Sequence, residues 1–219
     1  MGTAAIDYDL VIRTLIPGYE QMLSTINWWL SEIIPPAGKV VELGGGTGGL
    51  AHTVLTNLPK VRLEIWDIDQ QMLAVARDRL QRFADRVTVR ERSFTEKLDD
   101  CDAVIATLSL HHVPTLDAKR AVYTNVFRAL SKAGIFLIGD CTMDVTEPAH
   151  ATMQRYWTAF MGKHGITEAE AHKHFNNWAK EDTYQQISDE LTALAQAGFQ
   201  RPEVFWKEGP MAVYGGIKA

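Results

Sequence analysis

Lys39-Val-Val-Glu-Leu-Gly-Gly-Gly-Thr-Gly-Gly-Leu50 is a short apolar run that ends in an acid and then turns through five glycines in six positions. Glycine lets backbone approach a ligand closely and takes positive φ without steric cost. The residues that follow carry a helical pattern, so the free N–H groups of that helix face whatever sits at the turn. A strand, a glycine turn and a helix in this order predict an α/β nucleotide-type site.

Two kinds of site use such a turn. Gly44, Gly46 and Gly49 match the dinucleotide spacing G-x-G-x-x-G, whereas Gly44, Gly46 and Gly48 match the looser G-x-G-x-G of S-adenosylmethionine sites. Glu42, two residues before the first glycine, separates them. A pyrophosphate is repelled by a carboxylate there, and the ammonium of a methionine is attracted. A second acid supports the choice. Val61-Arg-Leu-Glu-Ile-Trp-Asp67 reads as another strand, and Asp67 lies 19 residues past Gly48, close to the ~20 expected of an acid that accepts hydrogen bonds from a ribose diol. Asp69 then opens the next helix as its N-cap.

The chain resembles the class I S-adenosylmethionine-dependent methyltransferase superfamily over roughly residues 37–141. The resemblance is carried by Val41-Glu-Leu-Gly-Gly-Gly-Thr-Gly48, Ile65-Trp-Asp-Ile-Asp69, Asp102-Ala-Val-Ile-Ala-Thr-Leu-Ser-Leu-His-His112 and Leu130-Ser-Lys-Ala-Gly-Ile-Phe-Leu-Ile138. It implies S-adenosyl-L-methionine as cofactor. It also implies a cofactor site built from Tyr19, Glu42, Gly44, Gly45, Gly46, Gly48, Asp67, Ile68, Ser93, Phe94 and Thr107. A nicotinamide-dependent oxidoreductase is the distant alternative.

Bulk properties agree with one α/β domain. The 219 residues suffice for a sizeable core. A net charge of −5 argues against a broad nucleic-acid surface. Two cysteines imply no disulfide framework. Neither a signal peptide nor a spanning segment is visible, so a cytoplasmic enzyme without membrane or nucleic-acid partners is expected, with a homodimer left open.

Strands are expected at 39–43, 62–67, 87–91, 103–107 and 134–140, and helices at 48–58, 70–83 and 116–130. The fold class is α/β, a doubly wound, seven-stranded, mostly parallel Rossmann-like sheet. Arg201–Lys207 and Met211–Lys218 read as an antiparallel C-terminal hairpin. The single domain 1–219 divides into an N-terminal helical cap at 1–36, broken at Pro17-Gly18, a cofactor-binding core at 37–146, a helical lid at 147–197 and the terminal hairpin at 198–219. Cap and lid together should shape an acceptor pocket and exclude water.

Within the superfamily, Thr14-Leu-Ile-Pro-Gly-Tyr-Glu-Gln21 is similar to the opening segment of carboxy-S-adenosylmethionine synthases, enzymes of tRNA wobble-uridine modification. That similarity gives Tyr19 its place in the cofactor site. Three positions depart from the branch: its adenine-binding acid falls on Ser93, its asparagine after strand four on Thr107, and its carboxylate-holding arginine on Ala193. Without a guanidinium, a carboxylated sulfonium loses its bidentate partner. An ordinary methyl transfer to a small-molecule acceptor by in-line displacement is therefore expected, with the synthase as the alternative.

His111 and His112, just past strand four, are the candidate catalytic residues, because either imidazole can deprotonate a hydroxyl or amine. Asp140 and His150 are further candidates. His172 and His174, with Glu168 and Glu170, have the composition of a metal site, but residues two apart do not share a helix face. No metal is expected.

Overall fold

The computed structural model describes residues 8–146 and 148–219. Residues 1–7 of the expected cap and Glu147 at the start of the expected lid lie outside the described residues. Seven strands form one sheet: β1 (Lys39–Leu43), β2 (Arg62–Asp67), β3 (Val87–Glu91), β4 (Cys101–Thr107), β5 (Leu130–Cys141), β6 (Glu203–Glu208) and β7 (Met211–Ile217). Their order is β3-β2-β1-β4-β5-β7-β6. The first five run parallel, and β7 lies antiparallel between β5 and β6.

The central strands are buried on both faces, as their continuous apolar runs require. One face packs Ile12, Met22, Ile26, Val54 and Trp157. The other packs Val122, Tyr123, Val126, Leu194 and Phe199. Helices α1 (Tyr8–Leu15), α2 (Tyr19–Ile33), α3 (Gly49–Asn57), α4 (Gln70–Arg79) and α5 (Leu116–Ala129) supply most of this cover. In α2, Met22, Ile26 and Leu30 recur on one stripe and are fully buried, each stabilising by about 1.5–3 kcal/mol. The helix ends follow from local chemistry. The Asp69 side chain accepts from the N–H groups of Gln71 and Met72, and Thr115 caps α5 through Ala118. At the break between α1 and α2, Gly18 has φ 65° and its Cα faces the Trp206 ring so closely that a Cβ would stand 2.5 Å from it.

Several boundaries differ from expectation. The chain leaves α4 at Arg79 and makes a short 3-10 turn over Gln81–Phe83. β4 begins at Cys101 rather than residue 103, and β5 begins at Leu130 rather than residue 134. Leu130 is already extended and pairs with Cys101 before a register shift. α6 (His150–Lys163), α7 (Glu168–Trp178) and α8 (Ile187–Ala197) follow β5. Trp157 of α6 and Ala171 of α7 join the core cluster of α1 and α2. α8 instead packs on α5 across the opposite sheet face, through Ala193, Leu194 and Ala197. A fully buried Lys119–Glu190 pair at 2.5 Å and the Tyr123 hydroxyl on Glu190 pin the two helices together. Among the described residues no helix is long and apolar enough to cross a membrane.

Candidate functional site

The C-terminal ends of β1, β2, β4 and β5 meet at one edge of the sheet, where ligands bind in open α/β folds. Gly44 has φ 64°, and a Cβ there would stand 2.4 Å from Cβ of Ser109. Ser109 in turn donates its hydroxyl to the Leu43 carbonyl at 2.9 Å, tying the turn after β4 to the turn after β1. Gly46 has φ 52°, yet among the described residues no atom lies within 4 Å of where its Cβ would be. Its absent side chain therefore leaves an open cradle rather than room for a neighbour. Gly45 faces Ile65, and Gly48 is the left-handed N-cap of α3.

Glu42 lies beneath this turn, 1 % exposed. The Ala51 backbone N–H donates to its carboxylate, while Oε2 has no partner among the described residues. Burial, with the neighbouring Asp67 charge adding to it, pushes the Glu42 carboxyl up to about 8. A buried carboxyl with an orphaned acceptor oxygen favours a cationic group beside it. Asp67 holds the turn through both oxygens: Gly46 N–H donates to Oδ2 at 2.8 Å and Asp69 N–H to Oδ1 at 2.9 Å. Each oxygen keeps a second lone pair for a further donor. Ile68 stands 71 % exposed beside it. Ser93 and Phe94 are half-buried at the end of β3, and the Ser93 N–H is taken by Glu96. Thr107 ends β4 and precedes Leu108, whose φ of 48° is strained for a branched residue.

The N-terminal helices cover this edge. The Asp9 carboxylate pairs with Arg79 and accepts from the Thr47 hydroxyl at 2.9 Å, and Arg79 also donates to Thr47 at 3.0 Å. α1 is thereby latched to the glycine turn. Tyr8 is pushed up to about 12 by burial and by the charges of Asp140 and Asp67. Tyr19 is buried at the start of α2, its hydroxyl 3.9 Å from a Cβ built on Gly49.

The second half of the site lies past β4. The 3-10 turn Leu110–His112 presents both imidazoles. His111 Nδ1 meets Asp140 Oδ1 at 2.7 Å, and the His111 backbone N–H donates to Asp140 Oδ2 at 3.1 Å. Asp140 is 1 % exposed. Burial alone would raise its carboxyl, but the charge and hydrogen bond of His111 outweigh burial and hold it below the usual carboxylate range. Since an ionised Asp140 is acceptor-only, His111 Nδ1 carries the proton and Nε2 faces outward.

Opposite stands Asp182, from the segment after α7. Its Oδ1 lies 3.8 Å from His111 Nε2 and 3.2 Å from His112 Nδ1. Its Oδ2 accepts from the Tyr184 hydroxyl at 2.7 Å. The hydrogen bond to Asp182 raises His112 above the ordinary imidazole value, against the effect of its partial burial. Thr183 N–H donates to the His111 carbonyl at 2.7 Å, docking this segment on the turn. His111, His112, Asp182 and Tyr184 border a cavity of about 480 Å³ that also touches Tyr8. Its apolar wall includes Ile12, Leu15, Leu108, Trp157 and Trp178.

The fold brings most of the expected site residues to one edge. Tyr8, Asp9, Thr47, Arg79 and Asp182 escaped the sequence reading. His172 and His174 have separate neighbours. His172 Nε2 is 3.7 Å from Glu168 on the exposed side of α7, and His174 lies against Trp178.

Residues 41–136 match the family model described as a methyltransferase domain. The carboxy-S-adenosyl-L-methionine synthase of Psychrobacter arcticus is 25 % identical over 207 residues, covering 87 % of this chain and 78 % of that protein. The malonyl-[acyl-carrier protein] O-methyltransferase of Geobacter sulfurreducens is 27 % identical, covering 92 % of this chain and 68 % of the relative. The structure of human N-acetylserotonin methyltransferase in complex with SAM superposes with a TM-score of 0.62 at 16 % identity, which shows the fold. The chain spans about half of that human protein, 52 % of its length, and the superposition covers 93 % of the chain.

The chain thus carries a methyltransferase domain at residues 41–136 and has the fold of the S-adenosylmethionine-dependent methyltransferase family. The cofactor of this family fits the site. The orphaned Glu42 oxygen is an acceptor for an ammonium, the open space at Gly46 admits a ligand against backbone, and Asp67 retains lone pairs for a diol.

Proposed function

We propose that this methyltransferase transfers a methyl group from S-adenosylmethionine to an oxygen of a small, largely apolar acceptor held in the cavity beside His111. The observation that carries this reading is the His111–Asp140 dyad, with Nδ1 committed to a buried carboxylate and Nε2 turned toward the cavity.

The bound cofactor supplies a methyl group already activated on a sulfonium. Glu42, the glycine turn from Gly44 to Gly48, Asp67 and Ile68 would hold it, and Tyr19 would close over it. The remaining work is alignment, desolvation and removal of one proton. His111 Nε2 is the group that takes the proton of the acceptor hydroxyl, and Asp140 stabilises the imidazolium that results. α1, α6 and α7 supply the apolar wall and keep water out. A net charge of −5 opposes a polyanionic acceptor.

A second reading, carboxylated-sulfonium synthesis, draws on the similarity to the Psychrobacter arcticus synthase over most of the chain. Against it, Ala193 is buried in the α5–α8 core and brings no guanidinium to the cleft. Incubation with S-adenosylmethionine and a panel of phenols and hydroxy acids, followed by mass spectrometry, tests both. Formation of S-adenosylhomocysteine together with a methylated acceptor supports the proposal. A carboxylated sulfonium in the small molecules released from purified protein would overturn it.

A further inference from the structure

We propose that His111 Nε2, His112 Nδ1 and Asp182 Oδ1 form a binding site for a divalent first-row transition-metal ion at the polar end of the acceptor cavity. The location as an acceptor site rests on the function proposed above; the ion-binding property does not.

The three donor atoms lie within 4.8 Å of one another, two of the separations being 3.2 and 3.8 Å. An ion bound at ~2.1 Å to each of three donors spaces them by roughly 3–4 Å. The surrounding groups are those that orient metal ligands. His111 gives its other nitrogen to buried Asp140, and Asp182 has its second oxygen held by the Tyr184 hydroxyl. A carboxylate behind a ligating imidazole and a donor behind a ligating carboxylate are the usual supports of such sites. The backbone bond from Thr183 to the His111 carbonyl fixes the two segments relative to each other.

One contact within the cluster asks for a cation. With Nδ1–H donated to Asp140, His111 Nε2 carries a lone pair, and it faces the Asp182 carboxylate at 3.8 Å. Two acceptors oppose each other there. A cation held between them would be coordinated by both. Two imidazoles and a single carboxylate select iron(II), manganese(II), cobalt(II) or zinc(II) over magnesium or calcium. Three protein ligands leave positions open toward the cavity.

An acceptor hydroxyl on such an ion loses its proton to solvent more readily. Its oxygen then forms the new O–CH3 bond as the C–S bond of the sulfonium breaks, leaving the neutral thioether. In the loaded protein the ion thus takes over the proton-releasing role that Nε2 of His111 has in the metal-free protein.

The test is titration of chelator-treated protein with cobalt(II), followed by its visible ligand-field absorption. One ion per chain is expected, with affinity falling at least ~10-fold in His112→Ala and in Asp182→Ala, while His172→Ala on exposed α7 binds as the parent does. S-adenosylmethionine titration of each variant shows that it is folded. No absorption in the parent, or binding that survives Asp182→Ala and disappears in His172→Ala, overturns the site. Methyl transfer by the chelated, cobalt-free protein at the parent rate with no cobalt binding overturns the metal and leaves His111 as the base. Failure of both S-adenosylmethionine binding and methyl transfer while cobalt binds as expected overturns the proposed function and leaves the metal site standing.

Discussion

The two halves of the site are built by opposite strategies. The proposed cofactor half, around Glu42, Gly46 and Asp67, is assembled from two strand ends 25 residues apart in sequence, and adjacent parallel strands bring them together. The proposed acceptor half draws Tyr8, His111, Asp140 and Asp182 from four segments spread over most of the chain. Local backbone chemistry defines the first half, where glycine conformation and strand-end position decide which groups face the ligand. Tertiary packing defines the second, where each group depends on an element that another element holds. Damage to the first should therefore appear as lost cofactor affinity, and damage to the second as lost turnover with cofactor affinity intact.

The largest effect should follow Gly46→Phe. The open cradle at φ 52° would be filled and the backbone strained, so calorimetric titration should show no S-adenosylmethionine binding. Unchanged affinity in a folded variant would move the cofactor away from this turn. His111→Ala should come next, lowering kcat by about 10²–10⁴-fold, the usual contribution of a positioned base. S-adenosylmethionine affinity should stay within about 3-fold, because His111 lies in the other half. A parallel loss of affinity would mean that the halves are not separable.

Legibility in the sequence divides along the same line. The strands β1, β2 and β3 and the N-cap at Asp69 were readable to the residue, since apolar runs, turn glycines and capping acids act over a few positions. The order of motifs also pointed to the superfamily and its antiparallel terminal hairpin. The lid was not readable in the same way. α8 belongs to the α5 face because Ala193, Leu194 and the Lys119–Glu190 pair fit there, and no periodicity in residues 187–197 says which of two sheet faces will receive a helix. Asp182 looked like one more acid among Lys180 and Glu181. Its role depends on Thr183 bonding to His111, a contact across 72 residues. Asp140 was visible as a strand-end acid, but its partnership with Nδ1 of His111 needed β4 and β5 in register.

Glu42→Gln sharpens the comparison from the cofactor side. Loss of a charged hydrogen-bond partner for the ammonium should weaken S-adenosylmethionine by roughly 1.5–3 kcal/mol, about 10–150-fold. The wild-type carboxyl sits at about 8 in the free protein, and a bound cation favours its ionised form. Wild-type affinity should therefore rise with pH from 6.5 to about 8 and then level. The Gln variant should lack that rise. A flat wild-type profile would place the ammonium away from Glu42.

The smallest effect concerns the free protein, and its sign is opposite. The Glu42 carboxyl is raised from 4.5 to about 8 on folding, so the folded state holds a proton that the unfolded state gives up. Below about 4.5 both states are protonated and the group is neutral in its effect. Between 4.5 and about 8 ionisation of the unfolded chain draws the equilibrium toward unfolding, and above that range the penalty is constant. Glu42→Gln removes the ionisable group while keeping the shape. Its Tm relative to wild type should thus increase from pH 5 to pH 8, by a few degrees. Added S-adenosylmethionine should reverse the ranking at pH 8, because only the wild type offers the ammonium a carboxylate. The same side chain would then destabilise the free fold and hold the ligand, as expected of a charge buried for binding. A Tm difference independent of pH, or one that the cofactor leaves unchanged, would mean that the Glu42 carboxyl is satisfied within the fold itself.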